Sequence, residues 1–147
     1  MEENKVYKVR IILLSTLDND SVRNEYTGEY KLSDGTHTAA YTDYSGNAVT
    51  KVGIEATKNA MLIHRVGEYE GDMLFTRESD TFLNYASFSL NHEFRLHTDR
   101  YELEMQPDGL TIYVRYILAD ESKEPGITCS QKIMITRLED TEREKDI

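Results

Sequence analysis

Apolar and polar residues alternate along most of the chain, and turn-forming residues interrupt the alternation about every 8 to 14 positions. A period of two places successive side chains on opposite faces of a strand, so the pattern is typical of an antiparallel all-β domain. The clearest example has an apolar residue at every second position from Leu110 to Leu118. The pattern predicts ten strands and no helix longer than two turns. The strands fall at about 5–17, 22–33, 36–44, 48–57, 60–66, 73–77, 81–88, 94–105, 110–118 and 128–137.

Turn residues set the boundaries of these strands. Asp34-Gly35 is a strong hairpin signal. Glu70-Gly71-Asp72 predicts the turn that precedes the sixth strand. Longer loops are predicted at 89–92 and 119–127, where the alternation stops.

The eighth strand changes parity in its middle. Leu96 shares the apolar face of the first half, whereas Tyr101 and Leu103 lie on the opposite parity. Because a slip of one residue moves every side chain to the other face, one extra residue must be inserted between the halves. The sequence therefore predicts a β-bulge near 98–100.

Short connections between consecutive strands favour an antiparallel up-and-down meander of about ten strands. Gly28 and Gly53 lie inside strands, where glycine usually marks a bend. A bent meander can close into a β-barrel, which removes exposed sheet edges. The prediction is one barrel domain over 1–138 and a charged tail at 139–147, with a two-sheet sandwich as the alternative.

Short motifs follow one another in a characteristic order over about residues 6–138. They are Thr27-Gly28-x-Tyr30, Asp34-Gly35, Tyr41-Thr42-Asp43, Val52-x-Ile54, Ile63-x-Arg65-x-Gly67, Phe75, Tyr85 and Leu110-x-Ile112-x-Val114-x-Tyr116-x-Leu118. In this order the chain resembles the bacterial YwiB-like family of lipocalin-like (calycin-type) β-barrels. The resemblance implies a soluble, intracellular, lipocalin-like barrel, and it implies no activity and no functional residues.

Charge narrows the range of partners. The chain has 17 Lys and Arg against 27 Asp and Glu, a net charge of −10. Polyanions are repelled by such an excess, so neither nucleic acid nor an anionic membrane surface is an expected partner. The longest aliphatic run, Ile11 to Leu14, is far shorter than the roughly 20 residues of a membrane helix. The N-terminus lacks the features of a secretory signal, and one cysteine, Cys129, allows no internal disulfide, so we expect a cytoplasmic protein.

The sequence offers little catalytic chemistry. The histidines, His37, His64, His92 and His97, lack the close spacing of metal ligands. The chain has no nucleophile elbow and no phosphate-binding glycine loop. Cys129 shares the parity of Ile133 and is predicted to be a buried structural thiol. We therefore expect a protein that is not an enzyme and needs no metal or cofactor.

Arg65 is the most informative single residue, because it interrupts an apolar strand. It shares parity with Met61 and Ile63, and an inward Arg65 would need Asp43, Glu55 or a carboxylate ligand as its partner. The opposite parity is also mixed, which leaves open a strand with Arg65 on the surface. Four tyrosines can likewise either line a ligand cavity or fill the core of the barrel. They are Tyr26, Tyr30, Tyr41 and Tyr116.

Two functional hypotheses follow. In the first, the barrel binds a small amphipathic molecule, neutral or weakly acidic, through Arg65, Tyr30, Tyr41 and Tyr116 as ligand-binding residues. This hypothesis predicts a connected interior cavity of about 300 Å³ or more. In the second, the protein is an interaction or scaffold protein that acts through its outer surface, with a homodimer as one form. Tyr113 and Ile117, which alternate with the inward face of the ninth strand, motivate it.

Overall fold

Ten strands follow one another in the computed structural model, which describes residues 1–67, 69–77, 79–87, 90–120 and 123–138. Side chains are described within these ranges except at 69, 84–87, 90–92 and 123–125. The predicted tail at 139–147 lies outside them. The strands are β1 (Val6–Leu17), β2 (Asp20–Ser33), β3 (Thr36–Asp43), β4 (Thr50–Ala56), β5 (Ala60–Gly67), β6 (Tyr69–Thr76), β7 (Asp80–Ser87), β8 (Leu90–Gln106), β9 (Gly109–Asp120) and β10 (Lys123–Arg137).

The strands form one closed antiparallel barrel. Each pairs with its neighbours in sequence, and β1 pairs with β10 over Val9–Leu17 to close the sheet. No helix occurs within the described ranges. The predicted all-β up-and-down barrel is confirmed, and the sandwich is excluded because one continuous sheet contains all ten strands.

Side chains at alternating positions of the sequence face the inside and the outside of the barrel. In β1, Tyr7, Val9 and Ile11 are buried, while Lys8 and Arg10 are exposed. The middle layers of the barrel are filled by side chains that are at most 2% exposed: Val9, Ile54, Ile63, Ile112 and Ile133. Burial of these aliphatic groups is the main source of stability, at about 1.5–3 kcal/mol for each large side chain.

The Asp34-Gly35 hairpin forms as predicted. Both residues have positive φ, 52° and 79°, as a two-residue turn of type I′ requires. Ser33 pairs with Thr36 on either side of the turn, which fixes the register of β2 and β3.

The predicted bulge in β8 is also confirmed. Thr98 pairs with Tyr116 and Arg100 with Arg115, so Asp99 is the extra residue. Its insertion lets both Leu96 and Tyr101 face the core, although their positions differ in parity.

One predicted turn is wrong. Glu70-Gly71-Asp72 belongs to β6, where Gly71 pairs with Arg65 and Asp72 with His64. The chain reverses earlier, and Gly67, with φ of 137°, ends β5. A Cβ at Gly67 would lie 2.1 Å from the carbonyl oxygen of Val49, so only glycine fits there.

The two predicted loops are shorter than expected. β8 already begins at Leu90, and β9 and β10 extend into the region predicted as the loop 119–127. Lys123 pairs with Asp120 and Ile127 with Leu118, so residues 124–126 lie opposite Ala119 alone. Because this irregular bulge breaks the alternation, the sequence pattern predicts a loop there.

Candidate functional site

Strand β5 presents the face of Arg65 to the interior. Met61 and Ile63 are buried, His64 is exposed, and Arg65 follows the buried parity with its side chain half-buried. The alternative in which Leu62 and Val66 face inward is thereby excluded, since Val66 is exposed.

Arg65 lies at the end of the barrel where β3 ends and β4 begins. Val52 pairs with both Arg65 and Tyr41, which places these two residues in one row across three strands. Tyr26 stacks on Tyr41, with 4.2 Å between ring centroids and 22° between ring planes. We call this region the Arg65 end, defined by Tyr26, Tyr41, Asp43, Arg65 and Tyr116.

The guanidinium of Arg65 has a weak partner. Its Nη1 donates to Sδ of Met73 at 3.6 Å, and no carboxylate of the described residues lies within ion-pair distance. Of the two expected partners, Glu55 is excluded because it is exposed on the outer face between buried Ile54 and Ala56. Asp43 lies at the same end but does not form an ion pair with Arg65.

Asp43 carries a negative charge at this end. Burial alone would raise its pKa, but hydrogen bonds from Ser45 and Tyr26 and the charge of Arg65 outweigh burial and lower it. The Ser45 amide donates to Oδ1 at 2.9 Å, and the Tyr26 hydroxyl donates to Oδ2 at 3.4 Å. The Arg65 end therefore contains one fixed cation and one fixed anion.

The tyrosines of this end are neutral hydrogen-bonding groups. Burial raises the pKa of Tyr41 strongly, and it raises the pKa of Tyr116 to about 12, while Arg65 opposes both shifts. The Tyr116 hydroxyl accepts a hydrogen bond from Nε2 of Gln131 at 3.3 Å, and its ring packs edge-on against Phe75 at 4.9 Å. Among the described residues the Tyr41 hydroxyl has no hydrogen-bond partner.

The fourth predicted residue, Tyr30, lies at the opposite end of the barrel. Its hydroxyl and Nδ1 of His37 are 2.6 Å apart in a buried hydrogen bond. The N-terminal segment covers this end: the Glu2 amide donates to the Tyr7 hydroxyl at 2.8 Å, and Met1 packs against the core. We call this region the closed end, defined by Tyr7, Tyr30, His37 and Tyr101.

The structure thus brings together Arg65, Tyr41 and Tyr116, adds Tyr26 and Asp43, and separates Tyr30 from them. Gln131 was missed from the sequence. Its signal was a polar residue at the inward parity of β10, between Cys129 and Ile133, where an apolar residue was expected.

The remaining candidates for reactive or metal-binding groups are Cys129 and the histidines. Cys129 is buried as predicted, its Sγ donates to the Ile127 carbonyl at 3.7 Å, and burial raises its pKa, which disfavours the reactive thiolate. Within the described ranges, no three His, Cys, Asp or Glu residues are grouped closely enough to hold a metal ion. The side chain of His92 lies outside the described set.

Ten antiparallel strands in sequential order, closed into one sheet, define an up-and-down β-barrel protein. The chain belongs to the family of the domain of unknown function DUF1934, whose model matches residues 10–131. The crystal structure of the ywiB protein from Bacillus subtilis is similar, with a TM-score of 0.81, 12% sequence identity and coverage of 91% of this chain and 94% of that one. The family resemblance drawn from the motifs is confirmed.

At this level of identity, the likeness to the Bacillus subtilis structure establishes the fold alone. No curated protein matches the sequence. Among the described residues, none lies in a helix long and apolar enough to cross a membrane.

Proposed function

We propose that this protein binds a small, weakly acidic amphipathic molecule at the Arg65 end and that it acts by binding rather than by catalysis. The observation that carries the proposal is the inward, half-buried Arg65, whose guanidinium forms no ion pair with a described residue. Beside it lie the stacked rings of Tyr26 and Tyr41.

A half-buried guanidinium is a strong recognition element for an acid. Removing a charge from water costs free energy unless a partner compensates, and the contact with the thioether of Met73 compensates only weakly. A carboxylate matches the planar fork of Arg65 with two parallel hydrogen bonds. The ligand would therefore supply the partner that the described residues do not.

The surrounding charge favours a single negative charge on the ligand. Asp43 is held in its charged form a short distance from Arg65, and the whole chain carries −10. Both repel a phosphate dianion more strongly than a carboxylate, which carries a single negative charge and needs only the one guanidinium as its partner.

The apolar part of the ligand would contact aromatic rings. The Tyr26–Tyr41 stack offers a flat aromatic wall, and the Tyr41 hydroxyl adds a neutral donor. The middle layers are filled by Ile54, Ile63 and Ile112, which contradicts the connected interior cavity expected from the sequence. The proposed site is therefore confined to the Arg65 end and does not run through the barrel. We therefore expect a short ligand.

The test uses octanoic acid and its uncharged analogue octanamide in calorimetric titrations. We expect saturable binding of the acid, weaker binding of the amide, and at least about a tenfold loss of acid affinity in Arg65→Gln. Arg10→Gln, which changes an exposed outward arginine, is the matched control and should bind as the wild type does. Equal affinity for acid and amide, equal affinity in Arg65→Gln, or no binding of the acid would contradict the proposal.

Native mass spectrometry of the protein purified from its own host would identify the ligand.

We propose that the protein is located in the cytoplasm, because the buried free thiol of Cys129 suits a reducing compartment. We expect no nucleic acid and no membrane among the partners, for the charge reason given above.

A second candidate function is self-association through the outer surface. The two residues that motivated it differ: Tyr113 is half-buried with Arg100 over its ring at 5.2 Å, and Ile117 is 36% exposed. A larger exposed apolar group is formed by Phe82 and Leu74, whose strands are joined where the Thr81 hydroxyl donates to the Leu74 carbonyl. Light scattering should then show a dimer that Phe82→Ser dissociates, and a wild-type monomer would contradict this candidate.

A further inference from the structure

The first half of β2 has one uncovered edge. β1 pairs with β2 over residues 20–31, whereas β3, on the other side of β2, pairs only with residues 29–33. In the part of the chain that the structure describes, no strand pairs with residues 20–28 on that side. All residues from 20 to 25 are exposed, on both faces of the strand. We call residues 21–27 the open edge.

Gly28 marks the point where β2 and β3 separate. A Cβ at Gly28 would lie 2.2 Å from the carbonyl oxygen of Ala40, so the close approach of the two strands there requires glycine. Beyond Ala40, β3 pairs with β4 alone as far as Asp43. The open edge is therefore a regular product of the fold, where one strand of the barrel extends past its neighbour.

Alternate residues of β2 point their backbone groups into the open edge. Ser33 and Thr36 flank a two-residue turn and form a hydrogen-bonded pair, so the odd-numbered residues of β2 point towards β3. Even-numbered residues point towards β1, in agreement with the Asn4 amide, which donates to the Leu32 carbonyl at 2.7 Å. An added strand would therefore meet the N–H and C=O groups of four residues: Ser21, Arg23, Glu25 and Thr27.

The side chains of the open edge carry opposite charges two positions apart. Arg23 and Glu25 both lie on the outer face, and their own contact is an exposed one at 3.4 Å, which contributes little to stability. On the inner side, Val22 is 55% exposed. Residues 21–27 contain neither proline nor an inward-pointing charge, two features that keep strand edges from pairing.

We propose that the open edge binds the open edge of a second copy of this chain, antiparallel and about a twofold axis. Among symmetric registers, only the one centred on Asn24 places Arg23 opposite Glu25 of the partner subunit. In this register Glu25 also lies opposite the partner's Arg23. Registers centred on Arg23 or on Glu25 place like charges opposite each other, which disfavours them. Charge therefore selects one register.

The same register satisfies the other groups of the edge. The odd-numbered residues of the two copies lie opposite one another, so that each such pair exchanges two backbone hydrogen bonds. Val22 lies opposite the partner's Tyr26, and pairs of an aromatic with a β-branched residue stabilise antiparallel sheets. Each Glu25 lies between the Arg23 of its own chain and the partner's Arg23. The contact within each chain is therefore kept.

The test combines sedimentation equilibrium with amide hydrogen exchange on the whole protein. The interface is small and each copy carries −10, so we expect a reversible dimer with a dissociation constant of about 100 µM or lower. As concentration rises, the amides of Ser21, Arg23 and Glu25 should exchange more slowly. The amides of Val22 and Asn24, which point towards β1, should not change.

A charge exchange tests the register. Arg23→Glu places carboxylates opposite each other and should weaken the dimer at least about tenfold. The double variant Arg23→Glu with Glu25→Arg restores opposite charges in the same register, and its affinity should return to within about threefold of the wild type. Lys8→Glu is the control, because it makes the same change in net charge at an exposed position near the other end of β1. It should leave the dimer intact.

Two further variants separate this interface from the other proposals. Arg65→Gln should leave the dimer unchanged, because the inference does not rest on the proposed function. Phe82→Ser should also leave it unchanged, and dissociation by Phe82→Ser would assign the dimer to the outer surface of β6 and β7 and overturn the inference.

Three other results would overturn it as well. The first is a protein that stays monomeric at about 1 mM. The second is an affinity that Arg23→Glu does not lower or that the double variant does not restore. The third is a dimer without slower exchange at Arg23 and Glu25. Circular dichroism spectra that match the wild type verify that each variant is folded.

Discussion

The two ends of the barrel contain the same kinds of residue but satisfy them differently. At the closed end the tyrosine hydroxyls have protein partners: Tyr30 bonds to His37, Tyr7 accepts from the Glu2 amide, and Tyr101 donates to the carbonyls of Thr57 and Ala60 at 2.6 and 3.1 Å. At the Arg65 end the contacts are longer: the Tyr26 hydroxyl reaches Asp43 at 3.4 Å, and the Tyr116 hydroxyl accepts from Gln131 at 3.3 Å. The Tyr41 hydroxyl has no hydrogen-bond partner among the described residues. Arg65 has the sulfur of Met73 as its contact.

The difference separates groups that support the fold from groups that are available to a ligand. A buried polar group that is paired within the protein adds to stability, whereas an unpaired one costs stability until something binds to it. Burial also removes charge from the closed end, where it lowers the pKa of His37, while the Arg65 end retains Arg65 and a charged Asp43. The predictions below test this division.

The largest expected difference is between truncating Tyr30 and neutralising Arg65. Tyr30 is fully buried, so Tyr30→Ala should lower the free energy of unfolding by about 3–5 kcal/mol through lost burial and a new cavity. Arg65→Met keeps the length of the side chain and should change it by less than about 1 kcal/mol, since no ion pair with a described residue is lost. Urea unfolding monitored by circular dichroism measures both.

Comparable destabilisation by the two substitutions would show that Arg65 supports the fold as Tyr30 does. In that case the unpaired guanidinium could no longer be taken as a sign of binding.

A smaller difference is expected when single hydroxyls are removed. Tyr101→Phe deletes the donor to two carbonyls of the turn between β4 and β5, and should cost about 1–2 kcal/mol. Tyr41→Phe removes a hydroxyl with no partner among the described residues, and should cost less than about 0.5 kcal/mol. Thermal and urea unfolding of the pair gives the comparison, and a larger cost for Tyr41→Phe would reverse the assignment of the two ends.

The smallest effect concerns acid. Burial lowers the pKa of His37 below its ordinary value of 6.5, so the unfolded chain binds the proton more readily than the folded one. The stability linked to His37 is therefore complete above pH 6.5 and is lost as the pH falls through 6.5 towards the folded-state pKa. His37→Gln should flatten the dependence of unfolding free energy on pH just below 6.5.

An unchanged slope in His37→Gln would mean that His37 is protonated equally in the folded and unfolded states.

The parts of the fold that the sequence predicted are those determined locally. Alternation in β1 and β9 and the parity break in β8 depend on neighbouring residues, so the strands and the bulge at Asp99 could be predicted. The turn predicted at Glu70-Gly71-Asp72 was wrong because glycine and acidic residues also occur within strands. At Gly67, where β5 ends, the Val49 backbone leaves no room for a Cβ, and this constraint comes from a distant part of the chain.

The candidate site was only partly predictable, for a related reason. Both parities of β5 contain apolar residues, so closure of the barrel, rather than β5 itself, decides that Arg65 faces inward. Tyr30 and Tyr41 have equivalent local patterns, and register across β2, β3 and β4 is what places them at opposite ends. A cleft on the outer surface, lined by Asp80, His97 and Ile117 among others, is formed by several strands and left no signal in any one segment.

The pairing of β1 with β10 has a consequence for how the protein folds. Ile11 pairs with Ile135 and Leu13 with Ile133. One edge of β1 therefore stays uncovered until β10, the last of the ten strands to be synthesised, is available to pair with it. Contacts this distant in sequence make folding slow. During that interval the apolar run from Ile11 to Leu14 remains an open strand edge, where another chain can add. The yield of refolded protein should therefore fall as its concentration rises, even though β10 covers this edge in the finished barrel.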